Sequence, residues 1–386
     1  MSTLKVNTIR HSSATSDAIT LASDGTATAN ITNPRSNRNI IVNGACNISQ
    51  RVSSSTSNGI YATDMMNWNG TGHSVTSTQS HHDLTSSDTG PWEKGFRHSS
   101  HLALSGAGTM AANTTISMFY KVEAQDLATS GWDYTSASSY ITISFWCKVS
   151  TAQTFYLLLH TSDGTAKSIV KAFTPGNTNW NKFTFKIPGA SGVQFDNDNG
   201  QGLAIALVTT YGTDKTGGGN NLDSWGNYDS SERVPDMAST WLTAGASTFE
   251  FTGLQLEVGE VATEFEHLRY EDDLRRACRY FWMYVSGNSQ AITDGRFLSA
   301  AEVDFMVQFP VTMRTTPSIY QQTGGDYFKI MYAGYNQYVD GNWTLQYAHK
   351  NGTSHYAGPD SNGSADKPAQ VITSNASAQL GYTAEF

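Results

Sequence analysis

The stretch ITISFWCKV, residues 141–149, alternates strictly. Ile141, Ile143, Phe145, Cys147 and Val149 fall on one side of an extended chain, and Thr142, Ser144, Trp146 and Lys148 on the other. Successive side chains of a strand point to opposite faces, so the pattern predicts a strand with one buried face. Outward from it, FTFKI (183–187) repeats the parity with Phe183, Phe185 and Ile187 inward, and GLAIALV (202–208) with Leu203, Ile205 and Leu207 inward. Half-buried strands of this kind predict antiparallel sheets packed face to face. In FEFTGLQLEV (249–258) the parity slips: Phe249 and Phe251 are odd, whereas Leu254, Leu256 and Val258 are even. One extra residue at Thr252-Gly253 returns all five to one face, which predicts a β-bulge with glycine at the kink.

Beyond this strand the period becomes helical. Tyr270, Leu274, Ala277, Cys278 and Phe281 recur at intervals of three and four, and Glu271/Arg275 and Asp272/Arg276 stand four apart. The spacing predicts a helix over 269–284, with acids leading and arginines following as the helix dipole prefers. A second β region then opens with VDFMVQF (303–309), which sets Val303, Phe305, Val307 and Phe309 on one side. The first forty residues carry short alternating pieces, LKVNTI and AITLASDGTATANI, but too few large apolar side chains for a core of their own. Such a segment is either disordered or paired with another surface.

With 386 residues the chain has room for two or three domains. Its charged fraction is 15% and it contains 34 glycines, which favours short strands and turns over long helices. The net charge of −9 and the lack of a Lys/Arg cluster argue against nucleic acid as a partner. Apolar runs such as FYLLL (155–159) are strand-sized, so no membrane insertion is expected. The start MSTLKVNTIRHSS has no apolar signal region, which predicts folding in a cytoplasm. Cys46, Cys147 and Cys278 are odd in number and far apart, and read as core thiols rather than disulfide or zinc ligands.

Several motifs together resemble bacteriophage tail fibres and related virion appendage proteins that carry a carbohydrate-binding-like jelly-roll module. They are NIIVNGACNISQRV (39–52) with YATDMMNW (61–68), YITISFWCKV (140–149), NTNWNKFTFKIPG (177–189), GLQLEVGEVATEFEHLRYEDDLRRACRYF (253–281), FPVTMRTTP (309–317) and the ending LGYTAEF (380–386). LKVNTIRHSS with AITLASDGT is similar to the starts of fibres from phages of marine bacteria. The resemblance implies an all-β chain: a virion-attachment segment over 1–38, a jelly-roll β-sandwich over 39–268, a linking helix over 269–285 and a small distal β domain over 286–386. It further implies a homotrimer in the virion, made in the host cytoplasm, attached to phage tail proteins through the N-terminal segment. It brings no catalytic residues with it.

Glu257, Glu260, Glu264 and Glu266 read as solvated or capping carboxylates. A glycosidase pair would instead need two acids facing one cleft, one of them with a raised pKa. His81-His82-Asp83 resembles a metal site, but adjacent histidines on an extended chain diverge and no third ligand stands at a usual spacing, so no metal is expected. Asp196-Asn197-Asp198-Asn199-Gly200 lacks the terminal glutamate of an EF-hand; a structural Ca²⁺ and a plain turn both remain open. No nucleophile elbow or phosphate loop is present, and no cofactor is called for.

Aromatic rings in polar loops fit glycans, because sugar faces stack on rings while hydroxyls bond carboxylates and amides. SGWDYTSASSY supplies Trp132, Asp133 and Tyr134, and NLDSWGNYDSSE supplies Asp223, Trp225, Asn227, Tyr228 and Asp229. These residues are the expected glycan site, with the alternative that the rings cap the sandwich or meet a neighbouring subunit. Tyr140 and Trp146 offer a second platform on the sheet face. Tyr327, Tyr332, Tyr335, Tyr338, Trp343 and Tyr347, with His355 and Tyr356 in loops, offer a third. The expected function is therefore host recognition by binding surface polysaccharide, without a chemical step. A depolymerase and a purely structural fibre or collar protein are the alternatives.

Overall fold

The computed structural model describes residues 5–386 except 16, 24, 26, 30–36, 60, 361 and 362. Two six-stranded antiparallel sheets face each other across the main core. One runs in the spatial order Gly226–Asn227, Lys167–Phe173, Phe155–Thr161, Gln201–Tyr211, Met110–Glu123, Asn67–His73. The other runs Asn181–Pro188, Tyr140–Val149, Thr248–Val258, His98–Leu104, Ser77–Asp83, Ser54–Ser55. The chain passes repeatedly from one sheet to the other, which makes the unit a jelly-roll sandwich and the protein an all-β one.

The alternating residues lie where their parity predicts. Ile141, Ile143, Phe145, Cys147, Leu203, Ile205 and Leu207 are all fully buried. The bulge is present as well. Pairing with Tyr140–Val149 slips between Thr252, opposite Trp146, and Gln255, opposite Ser144. Gly253 has φ +68, and a Cβ there would meet the Phe96 ring at 2.7 Å. Phe249, Phe251, Leu254 and Leu256 consequently share the core, while Val258 is exposed where the strand runs out.

Several strands depart from the simple pattern: Thr142 and Ser144, on the outward face of their strand, are buried as well. Phe183 and Phe185 are only half-buried, because Asn181–Pro188 is an edge strand with a single neighbour. Ala204, Ala206 and Val208, expected outward, are buried too, since Tyr156, Leu158, Val170, Tyr211 and Val234 form a second apolar cluster on that outer face.

The helix is shorter than its spacing predicts, Tyr270–Ala277, and Phe281–Ser286 is a strand paired with Gln379–Thr383. FWMYV is rich in aromatic and β-favouring residues and fits either period; the available partner strand decides for the sheet. Tyr270 is exposed rather than on the packed face. Among the described residues the expected Glu271/Arg275 and Asp272/Arg276 ion pairs are absent. Both acids lie in the helix's first turn, and Arg276 Nη2 reaches instead to the Asn39 carbonyl at 3.2 Å.

The second β unit has its own core around Phe297, Phe305, Phe328, Trp343 and Tyr382. It contains a three-stranded sheet (Phe281–Ser286, Gln379–Thr383, Ser318–Gln322) and a seven-stranded one. Val303, Phe305 and Val307 are buried as predicted. His355, expected in a loop, lies in the strand Gly352–Ala357 and is fully buried, stacked on Phe305 at 4.6 Å with Nε2 3.0 Å from the Tyr382 hydroxyl. Burial pushes its pKa down from 6.5 to about 3. The unfolded chain takes up a proton below pH 6.5 that the folded chain refuses. This histidine therefore costs stability as pH falls from 6.5 toward 3, by up to about 1.4 kcal/mol per unit, and nothing above neutrality. His355→Gln should flatten that part of the stability–pH curve in denaturant titrations; an unchanged slope would contradict the assignment.

Several of the sequence motifs scattered along the chain converge where the two β units meet. Arg51 of NISQRV pairs with Glu385 of the C-terminal motif and lies 3.5 Å over the Phe281 ring. Gln50 bonds Asp64 of YATDMMNW at 2.6 Å and the Phe281 carbonyl at 2.8 Å. Asn43 N–H donates to Asp273 of the helix at 3.0 Å. Arg314 of FPVTMRTTP donates to the carbonyls of Asn199, Ala384 and Glu385. The 196–200 loop is thus part of this joint: Asn199 also donates to the Arg314 carbonyl at 2.6 Å.

At the N-terminus, Thr8–Ile9, Ile19–Leu21 and Ala27–Ala29 form a small antiparallel sheet that leaves Val6, Ile9 and Leu21 exposed. All three cysteines are free and buried, and burial pushes Cys46 and Cys278 up to about 12. No helix among the described residues is long and apolar enough to cross a membrane.

Candidate functional site

The two aromatic loops are brought together at one edge of the sandwich, around residues 188–190. Ala190 N–H donates to the Tyr134 carbonyl at 2.9 Å, Gly189 N–H to the Ser139 carbonyl at 2.8 Å, and Trp225 Nε1 to the Pro188 carbonyl at 2.7 Å. A Cβ on Gly189 would sit 2.6 Å from the carbonyls of Tyr134 and Ser136, so only glycine allows this approach.

Within this edge the rings have structural duties. Trp132 is 3% exposed, packed against Phe195 with its Nε1 bonded to the Ser139 carbonyl, and is therefore not a sugar platform. A large ring in a Ser-rich loop covers the open end of the sandwich because the core there offers more apolar contact than water does. Trp225 is half-buried against the same core and closes the gap to the edge strand Asn181–Pro188. Tyr134 is half-buried, edge-on to Phe195 at 5.0 Å.

Polar groups remain accessible, and one further ring is half-buried. Tyr228 stacks on His160 at 4.7 Å with an interplanar angle of 17°. Asn227 pairs with Lys167 in a short edge strand and accepts from its Nζ at 2.7 Å. Asp223, at φ +63, bonds Lys171 Nζ at 2.9 Å. Asp133 accepts from the Thr135 hydroxyl at 2.8 Å, and Asp229 from the N–H and hydroxyl of Ser231. The acids of the edge are held by cations, hydroxyls and amides, which orients them as hydrogen-bond acceptors.

The glutamates of 257–266 are structural. Glu257 is buried, contrary to a solvated reading, because segments near Arg38 and Thr263 cover that end of the sheet; it accepts from Thr263 N–H at 2.9 Å and Gln255 Nε2 at 2.8 Å. Glu266, also buried, accepts from Asn39 N–H at 2.8 Å. Glu260 and Glu264 are exposed beside Lys186 and Lys94.

A polar constellation not foreseen from the sequence lies on the outer face of the second sheet. Glu250, 5% exposed, accepts from Ser99 Oγ at 3.2 Å and lies 3.3 Å from His82 Nδ1 and 3.9 Å from His101 Nε2. Burial works to raise its carboxyl, but the His82 bond and the charges of His101 and Lys148 hold it below its ordinary value. Lys148 and Trp180 Nε1 both donate to Asp88, at 2.9 and 3.0 Å. Burial opposes ionisation of Asp88 too, yet these donors and the Thr85 N–H keep its carboxyl well below the usual range. Two carboxylates held ionised do not supply the protonated acid that glycoside hydrolysis uses. The outward parity of Lys148 and Glu250 was readable; their cross-strand neighbours were not.

The remaining platforms divide. Tyr140 lies under Lys186 Nζ at 4.0 Å, and Trp146 is half-covered by the loop at Gly90. In the second β unit Trp343 is 1% exposed and belongs to the core, whereas Tyr335 and Tyr347 are exposed. A cavity of about 710 Å³ beside the helix is lined by Arg38, Asp126, Arg275, Arg276, Arg279 and Tyr280, of which Arg279 is committed to Glu123.

The fold is that of a jelly-roll β-sandwich with a second β unit, and among solved structures the chain is similar to carbohydrate-binding modules. A CBM4 module matches with TM-score 0.28 and 10% identity, covering 56% of this chain and 98% of that one. A family 11 module from Clostridium thermocellum, in complex with a β-1,3-1,4-mixed-linked tetrasaccharide, matches with TM-score 0.25 and 11% identity over 56% of this chain and 99% of that one. The CBM22-1 xylan-binding domain of Paenibacillus barcinonensis Xyn10C matches with TM-score 0.24 and 11% identity over 50% of this chain and 87% of that one. At these scores and identities the likeness carries no statement about ligand. No family model and no curated protein matches the chain.

Proposed function

We propose that the chain is a virion fibre protein that binds surface glycan, without cleaving it, at the sandwich edge formed by residues 133–134 and 223–229. The observation that carries the reading is the docking of both loops at residues 188–190, which leaves Asp133, Asp223, Asn227 and Asp229 exposed along one edge, each held by a bond of its own, with the half-buried Tyr228 ring in the same loop as the last three. Preorganised acceptors around a ring lower the ordering cost of holding a sugar. Trp132 has no part in this site, and Trp225 supports it from behind.

The virion setting rests on the order of the sequence motifs. The exposed Ile9 and Leu21 of the N-terminal sheet, with Val6 just before it, are in keeping with a segment covered by another protein, which in this reading is a phage tail component. A homotrimer belongs to the same reading, with several copies supplying avidity for a repeating polysaccharide.

Tyr228→Ala and, separately, Asp133→Ala are expected to weaken retention on host surface polysaccharide about tenfold, or ~1.4 kcal/mol, with little change in melting temperature. Affinity electrophoresis through gels containing the polysaccharide measures this. Unchanged mobility in both variants would remove the edge as the site.

A further inference from the structure

We propose that His81, Asp83 and His98 form a binding site for a divalent transition-metal ion of the zinc class. The proposal is independent of the glycan reading. Ser77–Asp83 and His98–Leu104 are adjacent antiparallel strands in a register that sets Asp83 opposite His98 and His81 opposite Ser100. Residues two apart on a strand share a face, so His81 and Asp83 project together, and the cross-strand neighbour His98 joins them. This is the third ligand that linear spacing does not reveal. His82, between them, points to the other face and serves Glu250.

One ligand atom from each of the three residues lies within 4.8 Å of the others. Donors around a tetrahedral zinc ion, at bond lengths of about 2.0–2.2 Å, stand roughly 3.4 Å apart, so side-chain rotation suffices to close the site. The Asp83 side chain is 83% exposed and free to make that rotation. The two imidazoles stack, with ring centroids 4.5 Å apart and 29° between planes, and His98 Nδ1 touches Asp83 at 3.0 Å; since an imidazole binds through a lone pair in its ring plane, the His98 ring turns together with Asp83 when the site closes.

His81 carries the further mark of a ligand. Its Nε2 lies 2.8 Å from the Cys46 carbonyl, which can only accept, so Nε2 bears the proton and Nδ1 keeps its lone pair. A backbone carbonyl on the far nitrogen is the partner that orients metal-bound imidazoles and raises their basicity. A bound ion would tie both strands to the Cys46 segment, leaving a position open to water or to an oxygen ligand.

The test is zinc titration, by isothermal calorimetry, of the untagged full chain after chelator treatment. One equivalent is expected to bind. Asp83→Asn and His98→Gln should each weaken that binding about tenfold or more, while His82→Gln, on the opposite face, should leave it unchanged. Cobalt in place of zinc should give visible absorption bands that are lost in the same two variants. Asp83 is exposed, so its variant is not confounded by misfolding. Undiminished zinc binding in Asp83→Asn, or no binding by the parent chain, overturns the site.

Discussion

Replacing Arg279 by alanine is expected to destabilise the protein by about 3–5 kcal/mol, the cost of leaving a buried charge without its partner. Glu123 is fully buried at the end of the long strand Met110–Glu123. Its carboxylate is met by Arg279 Nε at 2.6 Å and Nη2 at 2.7 Å, by the Tyr280 hydroxyl at 2.7 Å, and by Gln125 Nε2 at 2.7 Å. Removing the guanidinium orphans the charge and also frees the Thr312 carbonyl, which accepts from Nη1 at 3.2 Å. The double variant Glu123→Gln, Arg279→Ala should recover part of the loss, since no charge is then buried alone. Urea unfolding of the set measures it, and a loss below about 1 kcal/mol for Arg279→Ala would contradict the assignment.

Arg314→Ala is expected to uncouple the two β units. This one side chain donates to Ala384 at 2.7 Å, Glu385 at 2.7 Å and Asn199 at 2.9 Å, while Phe386 packs on its guanidinium at 4.0 Å. Hydrogen bonds from a charged donor contribute about 1.5–3 kcal/mol each, so their joint loss is about 4 kcal/mol or more. Because the bonds link the sandwich to the C-terminal residues, calorimetry should change from one transition to two. Lysine is no substitute: its point-like ammonium cannot span carbonyls that the planar fork reaches together. A single transition at the parent temperature would contradict this role.

Much of the fold was legible in the sequence because strand faces follow a period of two. The parity of Ile141 to Val149 placed the core, and the slip at Gly253 placed the bulge, since each needs only local information. Edges and partners need more. Phe183 and Ile141 carry the same pattern, but only the pairing order makes one strand an edge and the other an interior strand. The end of the helix was misplaced because FWMYV satisfies both periods, and the strand that captures it lies a hundred residues away in the chain.

The candidate site was legible in part. Both aromatic loops do reach one edge, and of the two readings open for their rings Trp132 and, largely, Trp225 take the one that fills the sandwich end. Asp133 and Asn227 are exposed, and Tyr228 is half-buried against His160. The Glu250 constellation, and the place of His98 beside His81 and Asp83, were invisible for one reason: the partners come from neighbouring strands whose register no linear spacing encodes. Several of the motifs that carry the resemblance supply joint residues, Arg51, Asn43, Arg314 and Glu385 among them, and others supply sandwich strands, so they bear on assembly of the chain more than on ligand.

The proposal of binding without cleavage is tested most directly by size-exclusion analysis of host surface polysaccharide incubated with the protein, with new reducing ends assayed in the same sample. The expected result is co-elution of protein and polysaccharide with the polysaccharide's size distribution unchanged and no new reducing ends. Shortened chains would make the protein a depolymerase, and elution of the protein free of polysaccharide would refute glycan binding.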